Sequence, residues 1–454
     1  MNKDSFFTSD TAKRLYEGCR TLPIIDYHCH LSPKEIYEDK PFETIGGMWL
    51  SGDHYKWRLM RTYGIDEEKI TGSAPIEEKF LSYAEALQYA AGNPLYHWSH
   101  MELSKYFGID TNLSEKTAKD VWERANAYIK ENSLSPVKLI TDSGVEVVCT
   151  TDDPVDSLEY HIKLKEKALP FSVLPSFRTD RLLLVRADGY LSYIKELEKV
   201  SGVEITSLQG LKEAVEKRLL FFIENGCRCT DMGIQDFPDS VLSEEDAKKA
   251  YKSILEGKEI TDKEYGGLLG NLTVFLADLY CKYGLIMQWH FAVYRNANTS
   301  LYKKLGADCG VDCVGDAVSG KQLTVMLDKI NERGMPNLIL YTLNSANAEQ
   351  IASAAGAFPR VRLGTAWWFC DHKRGIEQQL KVISENSPIG SFLGMLTDSR
   401  SFTSYARHDY FRMILCEFLS KLVDEEGYPE DLAHDIAYKI CYGNIKELIK
   451  GGTK

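Results

Sequence analysis

The 454-residue sequence contains no apolar run long enough to span a bilayer, and its polar first residues, 1–5, begin no apolar signal segment. It also lacks an excess of positive charge, because 54 Lys and Arg stand against 66 Asp and Glu, giving a formal charge of −12. A nucleic-acid surface needs clustered Lys and Arg, so this balance argues against such a partner. We therefore expect a cytoplasmic protein with neither a membrane nor a nucleic-acid partner, and a homo-oligomer is compatible with these features.

Recognisable cysteine frameworks are missing as well. The 11 cysteines are odd in number, scattered over a long chain and mostly set inside apolar runs. Cys227-x-Cys229 and Cys309-x3-Cys313 resemble halves of zinc sites, but neither has an obvious second pair of ligands. The cysteines are therefore interpreted as reduced core residues rather than as disulfide partners.

Short β-like runs recur along the chain, each followed by turn residues and then a helical pattern. This alternation is typical of a parallel sheet wound with helices. Eight runs meet the description, at residues 24–28, 146–150, 171–177, 226–231, 285–290, 337–343, 361–367 and 392–397. Since eight parallel strands close a barrel, we predict an α/β fold of the elaborated (β/α)8 TIM-barrel type.

The longest gap separates the first run from the second and has helical patterns at residues 53–60, 76–91 and 114–131. We predict a helical subdomain at 35–135, inserted after the first strand into a barrel formed by 1–34 and 136–454. Residues 180–225 and 236–271 have the alternating charges and apolar spacing of further amphipathic helices.

Polar residues follow several of these runs where each strand is expected to end. His28 and His30 are two residues apart, so in an extended strand both imidazoles project from one face and can reach one ion. His290 ends the fifth run, and Asp398 and Arg400 follow the eighth. Because the carboxyl ends of barrel strands meet at one face, these side chains predict a mononuclear divalent metal site with positions open for substrate.

Each of these residues also has a structural interpretation. Paired histidines two residues apart are more often structural or surface residues than ligands. His290 could instead be a substrate contact or a buried packing residue. Asp398, within Thr397-Asp398-Ser399, could be a helix N-cap.

The order and spacing of longer motifs resemble those of the uronate isomerases (glucuronate isomerases), a divergent branch of the amidohydrolase superfamily of metal-dependent barrels. The resemblance covers nearly the whole chain and is most specific in the last segment. The segments that carry it lie at residues 26–31 (DYHCHL), 53–57 (DHYKW), 59–61 (LMR), 149–154 (CTTDDP), 174–180 (LPSFRTD), 288–290 (QWH), 367–369 (WWF) and 395–402 (MLTDSRSF).

This resemblance implies an aldose–ketose isomerase acting on hexuronates, converting D-glucuronate to D-fructuronate and D-galacturonate to D-tagaturonate. It implies one divalent metal ion, with His28, His30 and Asp398 at the family's metal positions and His290 beside the metal. Imidazole and carboxylate ligands suit zinc, our first choice, and also manganese or cobalt.

The resemblance also places His54, Tyr55, Arg178 and Arg400 around the sugar, and we expect Trp367 and Trp368 to form a wall of its pocket. A guanidinium is well shaped to hold the sugar carboxylate in two parallel hydrogen bonds. Isomerisation needs a base that moves a proton between neighbouring carbons, and we predict Asp398 in that role, with Tyr55 or His54 as the alternative. The structural interpretations are a solvated Arg178 and packing roles for Tyr55 and the two tryptophans.

The chain departs from the family pattern at four places that bear on substrate range: Met232, Ala292, Ala317 and the segment Phe177-Arg178-Thr179-Asp180. A related reaction on a different sugar acid therefore stays open. Two further functions also stay open: a metal-dependent hydrolase of a sugar lactone or acylated sugar, and a non-catalytic uronate-binding protein.

Overall fold

The computed structural model describes residues 6–451 as an α/β fold in which parallel strands alternate with helices. Residues 1–5, whose polar character supported the expected location, lie outside the described residues. The strands are β1 (Ile24–Asp26), β2 (Val145–Cys149), β3 (Ser172–Leu174), β4 (Phe177–Arg178), β5 (Cys229–Gly233), β6 (Ile286–Phe291), β7 (Val293–Tyr294), β8 (Cys313–Val314), β9 (Asn337–Thr342) and β10 (Val361–Leu363).

Helices occupy most of the sequence between the strands. They are α1 (Asp10–Cys19), α2 (Pro33–Glu38), α3 (Ile45–Leu50), α4 (His54–Tyr63), α5 (Ile76–Leu87), α6 (Pro94–Phe107), α7 (Ala118–Asn132), α8 (Pro136–Asp142), α9 (Glu159–Lys165), α10 (Asp180–Leu183), α11 (Tyr190–Ser201), α12 (Leu208–Glu224), α13 (Glu244–Leu255), α14 (Asp262–Lys282), α15 (Thr299–Leu305), α16 (Gly320–Asn331), α17 (Ala348–Ala357), α18 (Lys373–Asn386), α19 (Ala406–Glu426), α20 (Glu430–Tyr438) and α21 (Asn444–Lys450). Within residues 6–451, no helix combines the length and the apolar character needed to cross a membrane.

The parallel strands form two sheets. One has the order β1-β2-β3, and the other has the order β10-β9-β6-β5-β4. A single parallel bridge between Asp152 and Phe177 connects the end of β2 to β4, so the two sheets form neighbouring parts of one curved layer. The carboxyl ends of the strands consequently face the same side of the molecule, where parallel α/β folds bind their ligands.

The prediction of an eighth strand at 392–397 is wrong. The segment runs beside β1 without forming a strand, because its backbone groups are hydrogen-bonded to side chains instead of to a ladder. The Thr397 N–H donates to Asp26 Oδ1 over 2.8 Å, and the Phe392 carbonyl accepts from Asn444 Nδ2 over 2.7 Å. Gly394 has φ +73°, and a Cβ there would collide with the backbone oxygen of Ile440.

A closed eight-stranded barrel is therefore not confirmed. In the part of the chain that the structure describes, no strand pairs β10 with β1. Directly after the segment 392–397, the polypeptide is still hydrogen-bonded to the residues that follow β1. The Asp398 N–H donates to the His28 carbonyl over 3.1 Å, and the His30 N–H donates to the Ser399 carbonyl over 2.9 Å. These two bonds set Asp398 beside the histidines.

The observed strands differ from the prediction in two further details. The predicted strand at 171–177 is divided into β3 and β4, since the pairing changes from β2 to β5 between them. The antiparallel pair of β7 and β8 was not predicted. Each of these strands has two residues, too few to display the alternation by which a strand is recognised in a sequence.

The predicted insertion is helical, since α3 to α7 lie within residues 35–135. Its buried side chains, among them Trp49 and Trp98, belong to the same hydrophobic core cluster as Trp289 of β6. The helices of this region therefore share a continuous core with the sheet. The division into an inserted subdomain and a surrounding barrel remains a prediction.

Candidate active site

A cavity of about 630 Å³ opens at the carboxyl ends of the strands, a volume suited to a small-molecule ligand. It is bordered by β1, β4, β6, the start of α4 and the loops after β10 and residue 397. All ten predicted site residues line this cavity: His28, His30, His54, Tyr55, Arg178, His290, Trp367, Trp368, Asp398 and Arg400.

The first cluster within the cavity is formed by His28, His30 and Asp398. His28 Nε2 lies 3.2 Å and His30 Nε2 lies 3.0 Å from Asp398 Oδ1, and one ligand atom of each residue falls within 4.8 Å of the others. His30 Nδ1 is held 2.7 Å from the Thr151 hydroxyl, which fixes the ring with Nε2 towards Asp398. Two imidazoles and a carboxylate that converge on one point form a donor set that fits a divalent cation.

His290 lies against this cluster and belongs to a second one. Its ring is 4.7 Å from the ring of His28, but its ligand atoms group with His28 and Asp231 and not with His30 and Asp398. His290 Nδ1 is 2.7 Å from Asp231 Oδ1, and the ring stacks on Tyr341 at 4.5 Å. The structure thus brings together three of the four predicted metal ligands and places the fourth beside them.

Burial and charge set the pKa values of these groups. Burial alone would raise the pKa of Asp398, but the hydrogen bonds to His28 and His30 hold it well below its usual range. Burial lowers the pKa of His30 to about 4, although Asp398 opposes the shift. Burial also lowers the pKa of His290, although the negative charge of Asp231 opposes the shift. His30 and His290 are therefore neutral at pH 7, the form in which an imidazole binds a metal.

Asp231 is the main site residue that the sequence analysis missed. It lies in β5, with a side chain only 1% exposed, and contacts both His290 and Arg178. Burial would raise its pKa, but Arg178 and His290 keep the pKa well below the ordinary value. Its place at the end of the fourth predicted strand was the available signal, since a carboxylate there faces the same side as His28 and His290.

Arg178 forms ion pairs with two carboxylates of the protein itself. Its Nη2 lies 2.8 Å from Asp180 Oδ2, and its Nη1 lies 3.2 Å from Asp231 Oδ2. Burial alone would lower its pKa, but these two carboxylates raise it above its ordinary value. Its Nε also donates to Asp180 Oδ2 over 3.1 Å, so all three nitrogens of the guanidinium that borders the cavity are already paired with carboxylates.

His54 and Tyr55 occupy the first turn of α4. Asp53 caps this helix, because its Oδ1 accepts from the Tyr55 and Lys56 N–H groups over 3.0 and 3.2 Å. Its Oδ2 is paired with the buried Lys56 ammonium at 2.6 Å. This cap and ion pair fix the two side chains towards the cavity, where Trp368 lies 4.8 Å from the His54 ring and 5.4 Å from the Tyr55 ring.

The protonation of this pair follows from burial. Burial lowers the pKa of His54, although Asp53 opposes the shift, so its imidazole is neutral at pH 7. Burial raises the pKa of Tyr55 well above its ordinary value, and the charge of Asp398 adds to the effect. The wall therefore offers a neutral imidazole that can accept a proton and a phenol that can donate one.

Trp367 and Arg400 complete the cavity. Trp367 Nε1 donates to Asp398 Oδ2 over 2.7 Å, so the indole orients the carboxylate in addition to forming a wall. Arg400 Nη2 lies 2.7 Å from Asp308 Oδ2, across the mouth of the cavity. Both oxygens of Asp398 consequently have partners, whereas Arg400 is paired with a carboxylate of an exposed loop.

Three of the departures from the family pattern lie outside the cavity wall. Met232 is a buried residue of β5, Ala292 has φ +60° directly after β6, and Ala317 is exposed. Of the described residues that border the cavity, none is Met232, Ala292 or Ala317. The cavity wall itself therefore retains the predicted polar groups.

Known proteins resemble this chain over its full length. Residues 1–449 match a family model described as glucuronate isomerase. A uronate isomerase from Caldanaerobacter subterraneus subsp. tengcongensis is 45% identical over 460 residues, covering 99% of both chains, and one from Clostridium perfringens is 41% identical over 461 residues, again covering 99% of both. A solved uronate isomerase from Thermotoga maritima superposes with a TM-score of 0.95 at 32% identity, with 99% of each chain covered.

Proposed function

Because the chain belongs to the glucuronate isomerase family, we propose that it interconverts the aldose and ketose forms of a hexuronate. The substrates would be D-glucuronate, giving D-fructuronate, and D-galacturonate, giving D-tagaturonate. The observation that carries the proposal is one cavity that joins His28, His30 and Asp398 to Arg400, a guanidinium with an exposed partner. The family membership does not favour the alternatives of a sugar-lactone hydrolase or a non-catalytic uronate-binding protein.

We propose that His28, His30 and Asp398 hold one divalent ion, with zinc as first choice and manganese or cobalt as alternatives. A bound ion would supply positive charge that stabilises oxyanions of the reacting sugar. Thr151 and Trp367 orient two of these ligands, since they bond His30 Nδ1 and Asp398 Oδ2. His290 lies next to the ion's position and is held in one tautomer by Asp231.

The sugar's carboxylate would bind to Arg400, while Arg178 borders the same cavity with Asp180 and Asp231 as its partners. His54, Tyr55, Trp367 and Trp368 would contact the sugar and exclude water from it. Asp398 would take the C2 proton and return it to C1. Tyr55 would donate its proton to the C1 oxygen as that oxygen gains charge, and it would regain a proton from the C2 hydroxyl as the C2 carbonyl of the ketose forms. His54, neutral at pH 7, is the alternative base.

An assay of ketose formation tests the function. Purified protein incubated with D-glucuronate, D-galacturonate, D-glucose and a sugar lactone should form a ketose from the two uronates, detected by chromatography against authentic standards. Neither glucose nor the lactone should be consumed at a comparable rate. Consumption of the lactone without ketose formation would favour the hydrolase, and uronate binding without turnover would favour the binding protein.

The metal site has its own test. His30→Ala should lower metal affinity by at least about 10–100-fold, the loss that follows removal of even an indirect metal partner. His290→Ala should lower it less, because His290 groups with Asp231 and not with His30 and Asp398. Metal per chain would be measured by plasma mass spectrometry after dialysis against a limiting chelator. Equal losses in both variants would make His290 a ligand, and unchanged content in His30→Ala would refute the site.

We also propose that residues 35–135 form a subdomain inserted into a barrel made of residues 1–34 and 136–454. A cytoplasmic location and a homo-oligomeric state remain predictions from the sequence.

A further inference from the structure

The ion pair between Arg400 and Asp308 lies at the mouth of the cavity and is half exposed. The Arg400 side chain is 35% exposed and the Asp308 side chain 52% exposed, with Nη2 and Oδ2 separated by 2.7 Å. Exposed ion pairs contribute little to stability because water screens the charges and competes for the hydrogen bonds. This pair can therefore be opened at low cost by another carboxylate.

Asp308 is held in place by its own loop. The loop lies between α15 and β8, and Asp308 has φ +58°, between Gly306 and Gly310, whose φ values are also positive. A non-glycine residue in this left-handed region is uncommon, and aspartate and asparagine tolerate it better than most. The side chain is therefore presented by a defined backbone turn.

The same loop is fastened to the helix that bears His54 and Tyr55. Arg58 Nη1 donates to the Gly310 carbonyl over 3.1 Å and to the Asp312 carbonyl over 2.9 Å, and Arg61 donates to the Cys309 carbonyl. Gly310 packs so closely on α4 that a Cβ there would lie 2.7 Å from the His54 carbonyl oxygen. Asp308 is thus anchored opposite Arg400 by contacts that do not involve Arg400.

Arg178 offers a contrast that identifies which arginine can exchange partners. One of its two carboxylates, Asp231, is buried with a side chain 1% exposed. Releasing Arg178 would leave a charge without a partner inside the protein, which is costly. Releasing Arg400 leaves Asp308 facing water. Arg400 is therefore the guanidinium whose partner can be replaced by a ligand.

We propose that Asp308 is a specificity-determining residue that occupies the substrate's carboxylate position on Arg400 until a sugar acid displaces it. This inference rests on the proposed function, in which Arg400 binds the hexuronate carboxylate. A uronate replaces one carboxylate by another on the same guanidinium. A neutral aldose has no group to offer Arg400 in exchange, so the Arg400–Asp308 pair stays closed across the mouth of the cavity.

The test removes the competing charge while keeping the turn. Asp308→Asn preserves the size and the tolerance of positive φ. It should lower the KM for D-glucuronate, and the Kd for L-gulonate measured calorimetrically, by about two- to fivefold, the range set by exposed ion pairs. L-gulonate is D-glucuronate with its aldehyde reduced to an alcohol, so it keeps the carboxylate and its binding is measured without turnover. Asp316→Asn, an exposed aspartate near the same loop, is the control and should change neither constant.

A double-variant cycle separates this inference from the proposed function. With Arg400→Met in the background, Asp308→Asn should have no further effect, because the shared partner is gone. If Arg400→Met leaves the KM for uronates unchanged, the proposed carboxylate site is wrong. If Arg400→Met raises that KM but Asp308→Asn raises it too or leaves it unchanged, Asp308 does not compete with substrate and this inference is overturned.

Discussion

Replacing Arg400 by methionine should lower kcat/KM for D-glucuronate by roughly 30-fold to several thousandfold. A bound sugar would cover Arg400 and shield the new ion pair from water, and loss of such a buried charge pair costs on the order of 2–5 kcal/mol, which appears directly in kcat/KM. Methionine keeps much of the arginine's length but has no charge or hydrogen-bond donor. The residual turnover of a neutral hexose should change far less, because that sugar makes no ion pair with Arg400.

The selectivity between D-glucuronate and D-glucose is therefore the informative measurement. Arg124→Met is a suitable control, because Arg124 is an exposed arginine paired with Asp120 and does not line the cavity, so its loss should leave the selectivity unchanged. Arg178→Met tests the other predicted arginine. If it lowers kcat while selectivity is retained, Arg178 acts through Asp231 and His290 and does not hold the carboxylate. Equal turnover of glucose and glucuronate by the unmodified enzyme would refute a carboxylate role for both arginines.

Asp398→Asn should abolish most of the turnover, with a loss of at least about 10²–10⁴-fold, the usual contribution of a general base. The substitution preserves the shape of the side chain and one hydrogen-bond acceptor. It removes the negative charge that lies 3.0 and 3.2 Å from His30 and His28. Because the same charge is proposed to bind the metal, metal content has to be measured in the same preparation.

Two results distinguish the base from the ligand. A variant that keeps its metal and loses turnover supports Asp398 as the base, whereas one that keeps both its metal and substantial turnover makes His54 or Tyr55 the better candidate. Turnover in deuterated water adds a second measurement. Proton transfer lets the abstracted hydrogen exchange with solvent, so deuterium should appear at C1 of the ketose. A hydride shift would keep the original hydrogen throughout.

Part of the site was predictable because its residues follow strands. His28, His30 and His290 each lie at the end of an apolar run, and parallel strands bring such ends to one face. Asp231 ends the fourth predicted strand and satisfies the same rule, but it was not predicted as a site residue. The pairing of Arg178 with Asp180 and Asp231 was not predictable, since no pattern in the sequence shows which charges a folded chain brings together.

The eighth strand shows a different limit. Residues 392–397 have the apolar composition of a strand, and local pattern cannot distinguish a paired strand from an extended segment. Asp26, Tyr27 and Asn444 provide side-chain partners for its backbone, and those residues are remote in the sequence. Tertiary contacts thus replaced the ladder that the local pattern predicted.

The sequence by itself determined the family and the α/β class, and it predicted four residues around the candidate metal position, because motifs at strand ends preserve both identity and order. Only the tertiary structure decided how these groups are paired. It separated His290 from His30 and Asp398, gave Arg178 two internal carboxylates and left Arg400 with the exposed Asp308. The physical reason is that pairing depends on distance and burial, which are set by how remote segments pack.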